Sequence, residues 1–123
     1  METNAVTGEI VRAAMRVHTA LGPGLLEGVY RTALLYELTN RGLRVVPEKA
    51  IRLHYDGAEL GTGLRIDLLV EEEVIVELKS VEKMLPLHQS QLLSYLKLSG
   101  LRTGLLINFN VRHLRQGIKR MVR

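Results

Sequence analysis

The chain has 123 residues, enough for one domain spanning 1–123 with a real core but with no room for a separate recognition module. It contains no cysteine, which excludes disulfides and thiolate zinc sites, and no apolar run approaches the roughly 20 residues that a membrane-spanning helix needs. A formal net charge of +4 and a pI of about 9.7 suit a polyanionic partner.

The N-terminus, Met1-Glu2-Thr3-Asn4-Ala5, lacks a basic region followed by an apolar stretch, so no signal peptide is expected and a cytoplasmic location away from membranes fits. From about Thr3 to Leu21, Val6, Ile10, Ala13, Ala14, Val17 and Leu21 recur at helical spacing, and Gly22-Pro23-Gly24 stops that helix. A second helix is predicted from about Leu25 to Arg41, with Leu26, Val29, Tyr30, Ala33, Leu34 and Leu38 as its apolar stripe and Gly42 as its cap. Glu27 stands in its first turn, where a carboxylate meets the helix dipole favourably, and Arg31 four residues on is a ready ion-pair partner. Strands are predicted near Arg44–Tyr55, with a turn at Asp56-Gly57, and near Leu64–Val70 and Val74–Ser80. After Pro86 a third helix begins around His88 and ends near Gly100, followed by a buried strand over Thr103–Phe109. The basic tail from Arg112 to Arg123 is predicted as a last helix. The order α-α-β-β-β-α-β-α implies an α/β (α+β) fold with one mixed central sheet flanked by helices.

The chemistry gathers on the second and third strands. Two aliphatic runs, Arg65-Ile66-Asp67-Leu68-Leu69-Val70 and Val74-Ile75-Val76-Glu77-Leu78-Lys79, flank Glu71-Glu72-Glu73. If the three glutamates form the turn, Val70 faces Val74 and Asp67 lies across from Glu77, with Lys79 on the same face by period-2 alternation. A two-residue turn would slip the register and send Asp67 to the opposite face. Such a trio is often only a solvated surface ion pair. Strands this apolar, however, bury both faces, and a buried carboxylate without a partner costs several kcal/mol or takes up a proton. A shared divalent cation beside the lysine resolves the conflict.

In the third helix His88, Gln91 and Tyr95 recur at i, i+3 and i+7 and make a compact polar stripe beside an apolar face of Leu92, Leu93 and Leu96. Gln91 and Tyr95 are therefore candidates to hydrogen-bond a substrate phosphate or the surroundings of the lysine, though such residues also sit simply at the edge of a core.

Gly24-Leu25-Leu26-Glu27-Gly28-Val29-Tyr30 reads G-x-x-E-x-x-Y, and Asp67, Glu77-Leu78-Lys79 and Gln91-x-x-x-Tyr95 follow it in order. In these motifs the chain resembles the GxxExxY family of the PD-(D/E)XK nuclease superfamily, with Ile66 where the superfamily's name has proline. The resemblance covers about Ile10 to Val122 and implies a restriction-endonuclease-like αβββαβ core. It also implies that Asp67 and Glu77 bind Mg²⁺ or Mn²⁺ with the Leu78 backbone carbonyl, and that Glu27 completes the metal site directly or through water. Lys79 would position or activate the attacking water, with Gln91 and Tyr95 in support.

The leading expectation is a metal-dependent nuclease, acting on DNA before RNA. Tyr30, which shares a helix side with Glu27, joins His88 and the basic residues Lys83, Arg112, Arg115 and Lys119 as expected nucleic-acid contacts. Two rivals stand beside it: a catalytically inactive nucleic-acid-binding module, and a small interaction protein whose acids form structural ion pairs. The limited contact surface of one subunit leaves room for a homodimer.

Overall fold

A computed structural model describes residues 1–123, except for the side chain of Thr62. The first helix, α1, covers Thr3–Leu21 and the second, α2, covers Glu27–Asn40. Three strands follow, β1 (Val45–Tyr55), β2 (Ala58–Val70) and β3 (Val74–Lys79). Helix α3 (Pro86–Ser99) then crosses to β4 (Thr103–Asn108), and a 3-10 turn at Leu114–Gly117 leads into β5 (Ile118–Val122). The five strands form one mixed sheet in chain order, with β3 and β4 parallel and every other pair antiparallel. A parallel pair needs a crossover, which α3 supplies.

Each face of the sheet has its own core. Val6, Ile10, Ala14 and Val17 of α1 and Tyr30, Leu34 and Leu38 of α2 pack on Leu68, Val70, Val74, Val76, Leu78, Leu105 and Ile107. On the opposite face Leu92, Tyr95 and Leu96 of α3 pack on Ile51, Ile66, Ile75 and Leu106. Helices on both faces explain why β3 and β4 carry unbroken apolar runs.

The predicted glutamate turn is the one observed. Val70 pairs with Val74 and Leu68 with Val76, and the Glu73 N–H donates to the Val70 carbonyl at 3.0 Å. Glu71 and Glu72 sit at φ 53° and 55°, the left-handed conformation that matches a tight turn to the twist of its strands.

Alternation then fails at one row. Leu68 and Val70 face α1 and α2, whereas Ile66, of the same parity, faces α3. In β1, Val45 packs on the first core and Ile51 on the second, again at equal parity. Between them Glu48 takes φ 48°, and the pairing of β1 with β2 passes from Pro47↔Leu68 to Lys49↔Ile66, skipping Glu48 and Asp67. Ladder pairing of β2 with β3 ends at Leu68↔Val76, so β2 parts from β3 at Asp67 and continues with β1 alone.

Two expectations are corrected. The last predicted helix is strand β5, with Gly104 opposite Met121 and Ile107 opposite Ile118. The spacing of Leu114, Ile118 and Met121 imitates a helix, but β4 is buried along its whole length and its second edge needs a partner. In α2, Leu26 and Val29 are exposed rather than part of the buried stripe, because the helix is entered at Glu27 and turns Tyr30, Leu34 and Leu38 inward.

Gly117 marks where the tail passes over the end of β4. A Cβ there would overlap the Asn108 carbonyl oxygen and press on Val111. Gly117→Ala is expected to destabilise the fold by about 1–3 kcal/mol, read as a fall in Tm of about 5–15 °C in a thermal melt.

Candidate active site

The site forms where β2 leaves β3. Ladder hydrogen bonds stop there, and carboxylates replace them. The Asp67 N–H donates to Glu77 Oε1 at 2.9 Å, and the Leu78 N–H donates to Asp67 Oδ2 at 2.7 Å. Each acid thus reaches across to the neighbouring strand, and the two side chains converge in one gap. Glu77 is buried, at 5% exposure, and Leu78 is fully enclosed.

Convergence has an electrostatic consequence. Burial, and then the negative charge of Asp67, push the Glu77 carboxyl up to about 8, opposed by a backbone hydrogen bond at Asp67 and by Lys79. Glu27, half-buried in the first turn of α2, is also raised, by burial first and by Asp67 second, with Lys79 and Arg31 acting against both. Glu27 therefore feels two of the charges that act on Glu77, those of Asp67 and Lys79, from the side of α2.

Lys79 lies two residues beyond Glu77, and its ammonium donates to Gln91 Oε1 at 3.3 Å. The Gln91 amide in turn donates to the Tyr95 hydroxyl at 3.1 Å. Tyr95 is buried, and its ionisation is shifted upward by that burial and then by the Glu77 charge, so it remains a neutral phenol. The i, i+4 pair on α3 thereby holds the lysine from the opposite face.

His88, Tyr30 and the basic residues are placed elsewhere. The Leu85 N–H donates to His88 Nδ1 at 3.0 Å, so the imidazole closes the N-terminus of α3. Tyr30, expected to touch nucleic acid, is corrected: it is fully buried and stacks on Phe109 at 4.5 Å. Its hydroxyl donates to the Gly22 carbonyl at 2.6 Å and accepts from the Leu25 N–H at 3.1 Å, which fixes the loop ahead of Glu27. Lys83 and Lys119 line one depression of about 380 Å³, whereas Arg112 and Arg115 line another beside His18. The four cations thus form two patches rather than one.

Three contributors were not assigned by sequence. Arg31 reaches Asp67 at 3.7 Å and Glu48 at 3.9 Å, and no ion pair with Glu27 forms among the described residues. Asn108, buried at the end of β4, accepts from the Val81 and Asn110 N–H groups and donates to the Val81 carbonyl. With the Phe109 N–H on the Lys79 carbonyl at 2.9 Å, it clamps the end of β3. A polar residue closing a wholly buried strand was its available signal; nothing local marks Glu48.

In donor chemistry the gap is all oxygen. Among the described residues no group of three or more His, Cys, Asp or Glu side chains is arranged to hold a metal ion, so the site presents two convergent carboxylates with Glu27 set back.

A mixed sheet with helices on both faces and an acid–acid–lysine row at a strand junction defines a nuclease-like fold. Sequence comparison agrees: a family of the PD-(D/E)XK nuclease superfamily matches residues 4–121, and the chain belongs to that superfamily. Neither the curated proteins nor the solved structures give a match. Among the described residues no helix is long and apolar enough to cross a membrane.

Two measurements test this site. Tyr30→Phe removes a hydroxyl that serves two backbone groups and is expected to cost about 1–2 kcal/mol of stability, with nucleic-acid retention unchanged. Glu77 has a folded-state pKa above its unfolded value, so the native state holds the extra proton between the two. Its stabilising contribution is full below about 4.5 and is lost as pH rises towards about 8. Denaturant unfolding of metal-free protein is expected to show stability falling across that window, by at most about 1.4 kcal/mol per pH unit, and Glu77→Gln is expected to flatten the fall.

Proposed function

We propose that the chain is a metal-dependent nuclease of the GxxExxY type, hydrolysing nucleic-acid phosphodiesters, DNA before RNA. The observation that carries this is the convergence of Asp67, Glu77 and Lys79 at one strand junction, with Gln91 and Tyr95 holding the lysine.

The residues fit a hard divalent cation. Two oxygen donors face one gap, and the Glu77 carboxyl, raised by burial first and by the Asp67 charge second, lies beside negative charge that a cation would offset. Asp67 and Glu77 would hold Mg²⁺ or Mn²⁺, with the Leu78 carbonyl, Glu27 and water as further donors. When bound, such an ion supplies positive charge against the negative charge that develops on the phosphate. The protein's own groups do the positioning. Backbone N–H groups fix one oxygen of each acid, and Gln91 takes one of the three N–H bonds of Lys79. The remaining lysine N–H groups are available to orient an attacking water and to meet a phosphate oxygen. Lys83 and Lys119, beside the β4 end that clamps Lys79, meet the nucleic-acid backbone without reading sequence, and Arg112 and Arg115 form a second contact. A chain without cysteine suits the reducing cytoplasm.

A second reading is a nucleic-acid-binding module without hydrolytic activity. That no group of three or more His, Cys, Asp or Glu side chains among the described residues is arranged to hold a metal favours it, as does Arg31 beside Asp67, which gives that acid a partner within the protein. On a third reading the acids serve only as structural ion pairs of an interaction protein.

One assay separates them: purified protein with single- and double-stranded DNA and RNA in Mg²⁺, Mn²⁺ or EDTA, beside Lys79→Ala. That substitution leaves the strand-crossing bonds of the two acids intact. The nuclease is expected to give products with Mg²⁺ or Mn²⁺ and none with EDTA, and Lys79→Ala to lose at least about a hundredfold in rate. Undiminished cleavage by the variant rejects the assignment. Retention that weakens steeply with salt, without product, supports the second reading, and no retention supports the third.

A further inference from the structure

Arg31 has no part in the chemistry above, yet it stands on the site. It projects from the second turn of α2, half-buried, with Nη1 3.7 Å from Asp67 Oδ1 and Nη2 3.9 Å from Glu48 Oε1. Both separations exceed the roughly 2.7–2.9 Å of a charge-assisted hydrogen bond, so the guanidinium is shared between two acids and locked to neither. Asp67 Oδ2 is held by the Leu78 N–H, which leaves Oδ1 as the oxygen open to a cation. Arg31 covers that oxygen.

Glu48 is placed with unusual care for an exposed side chain. Of the four non-glycine residues at positive φ among the described residues, Asp56, Glu71 and Glu72 are in hairpin turns, whereas Glu48 lies inside a strand at φ 48°. It falls in the row skipped by the β1–β2 pairing, opposite Asp67. Backbone in that conformation persists where its surroundings impose it and gathers at functional sites. Here it sets a second carboxylate next to the first, with one arginine between them.

We propose that Arg31 is a displaceable cation. It covers Asp67 Oδ1 while no metal is bound and moves onto Glu48 when a divalent ion takes that oxygen. This rests on the metal-site reading given above. Its physical basis is that two cations cannot share one carboxylate oxygen without strong repulsion, and that Glu48 offers the departing guanidinium a partner within reach of its present position. Arg31 thus competes with the metal, and Glu48 relieves the competition.

The two residues are then expected to act on metal affinity in opposite directions. Mn²⁺ binding is measured by calorimetry on the intact protein without nucleic acid, for wild type, Arg31→Met, Glu48→Gln and the double variant. Arg31→Met is expected to tighten Mn²⁺ binding by about three- to tenfold, and Glu48→Gln to weaken it by about two- to fivefold. In the double variant the Glu48 effect vanishes, because no arginine is left to accommodate. Arg31→Met that binds no more tightly, or a Glu48 effect that persists without Arg31, overturns the proposal while leaving the metal site standing. Wild-type protein that takes up no Mn²⁺ at millimolar concentration overturns both. Should Arg31→Met not fold, Glu48→Gln on its exposed side chain carries the test alone, and unchanged affinity there also overturns the proposal.

Discussion

The structure turns on two hydrogen bonds in which side chains replace a β-ladder. Where β2 leaves β3, the N–H groups of Asp67 and Leu78 would be stranded in a nearly dry interior, a loss of about 1–3 kcal/mol each. The carboxylates of Glu77 and Asp67 satisfy them, but at the cost of two negative groups in contact within the fold. Burial first, and that contact second, raise the Glu77 carboxyl. It leaves the protein three ways to settle the charge: a retained proton, a guanidinium drawn in from α2, or a cation from solution. The same constraint that keeps the sheet intact prepares a site for positive charge.

The surroundings hold that arrangement from every side. Asn108 and the Phe109 N–H tie the end of β3 to β4, so Lys79 leaves the sheet at a fixed point. Gln91 and Tyr95 take its ammonium from α3, and Tyr95 is anchored in the second core. Tyr30, packed on Phe109, fixes the Gly22–Leu25 loop from which α2 starts and hence the position of Glu27. Candidate chemical groups on three elements are each backed by buried packing, the condition for a preorganised site.

Local pattern carried much of this architecture. The 3.6-residue period of α1, the breaker Gly22-Pro23-Gly24 and the glutamate turn with Val70 facing Val74 are all readable because each depends on residues a few positions apart. The same holds for Glu77 and Lys79 on one face, and for Gln91 and Tyr95 one turn apart on α3. The tail departs from its local pattern for the converse reason. Leu114, Ile118 and Met121 fit a helical period, and only the open edge of β4, a requirement set outside the segment, makes Ile118–Val122 a strand. Tyr30 likewise shares a helix side with Glu27, but depth depends on Phe109, nearly eighty residues away.

By itself, then, the sequence determined which residue types stand at which parity, and with them the set of acids, lysine, glutamine and tyrosine available for chemistry. The tertiary structure decided where alternation breaks. The face change at the Glu48–Asp67 row follows from the need of β1 and β2 to serve one core near the glutamate turn and another beyond it. No window along the chain contains that requirement. It is also why Arg31 meets Asp67 and Glu48 instead of its helical neighbour Glu27: side-chain partners at a strand junction are chosen by where strands separate, which is a property of the assembled sheet.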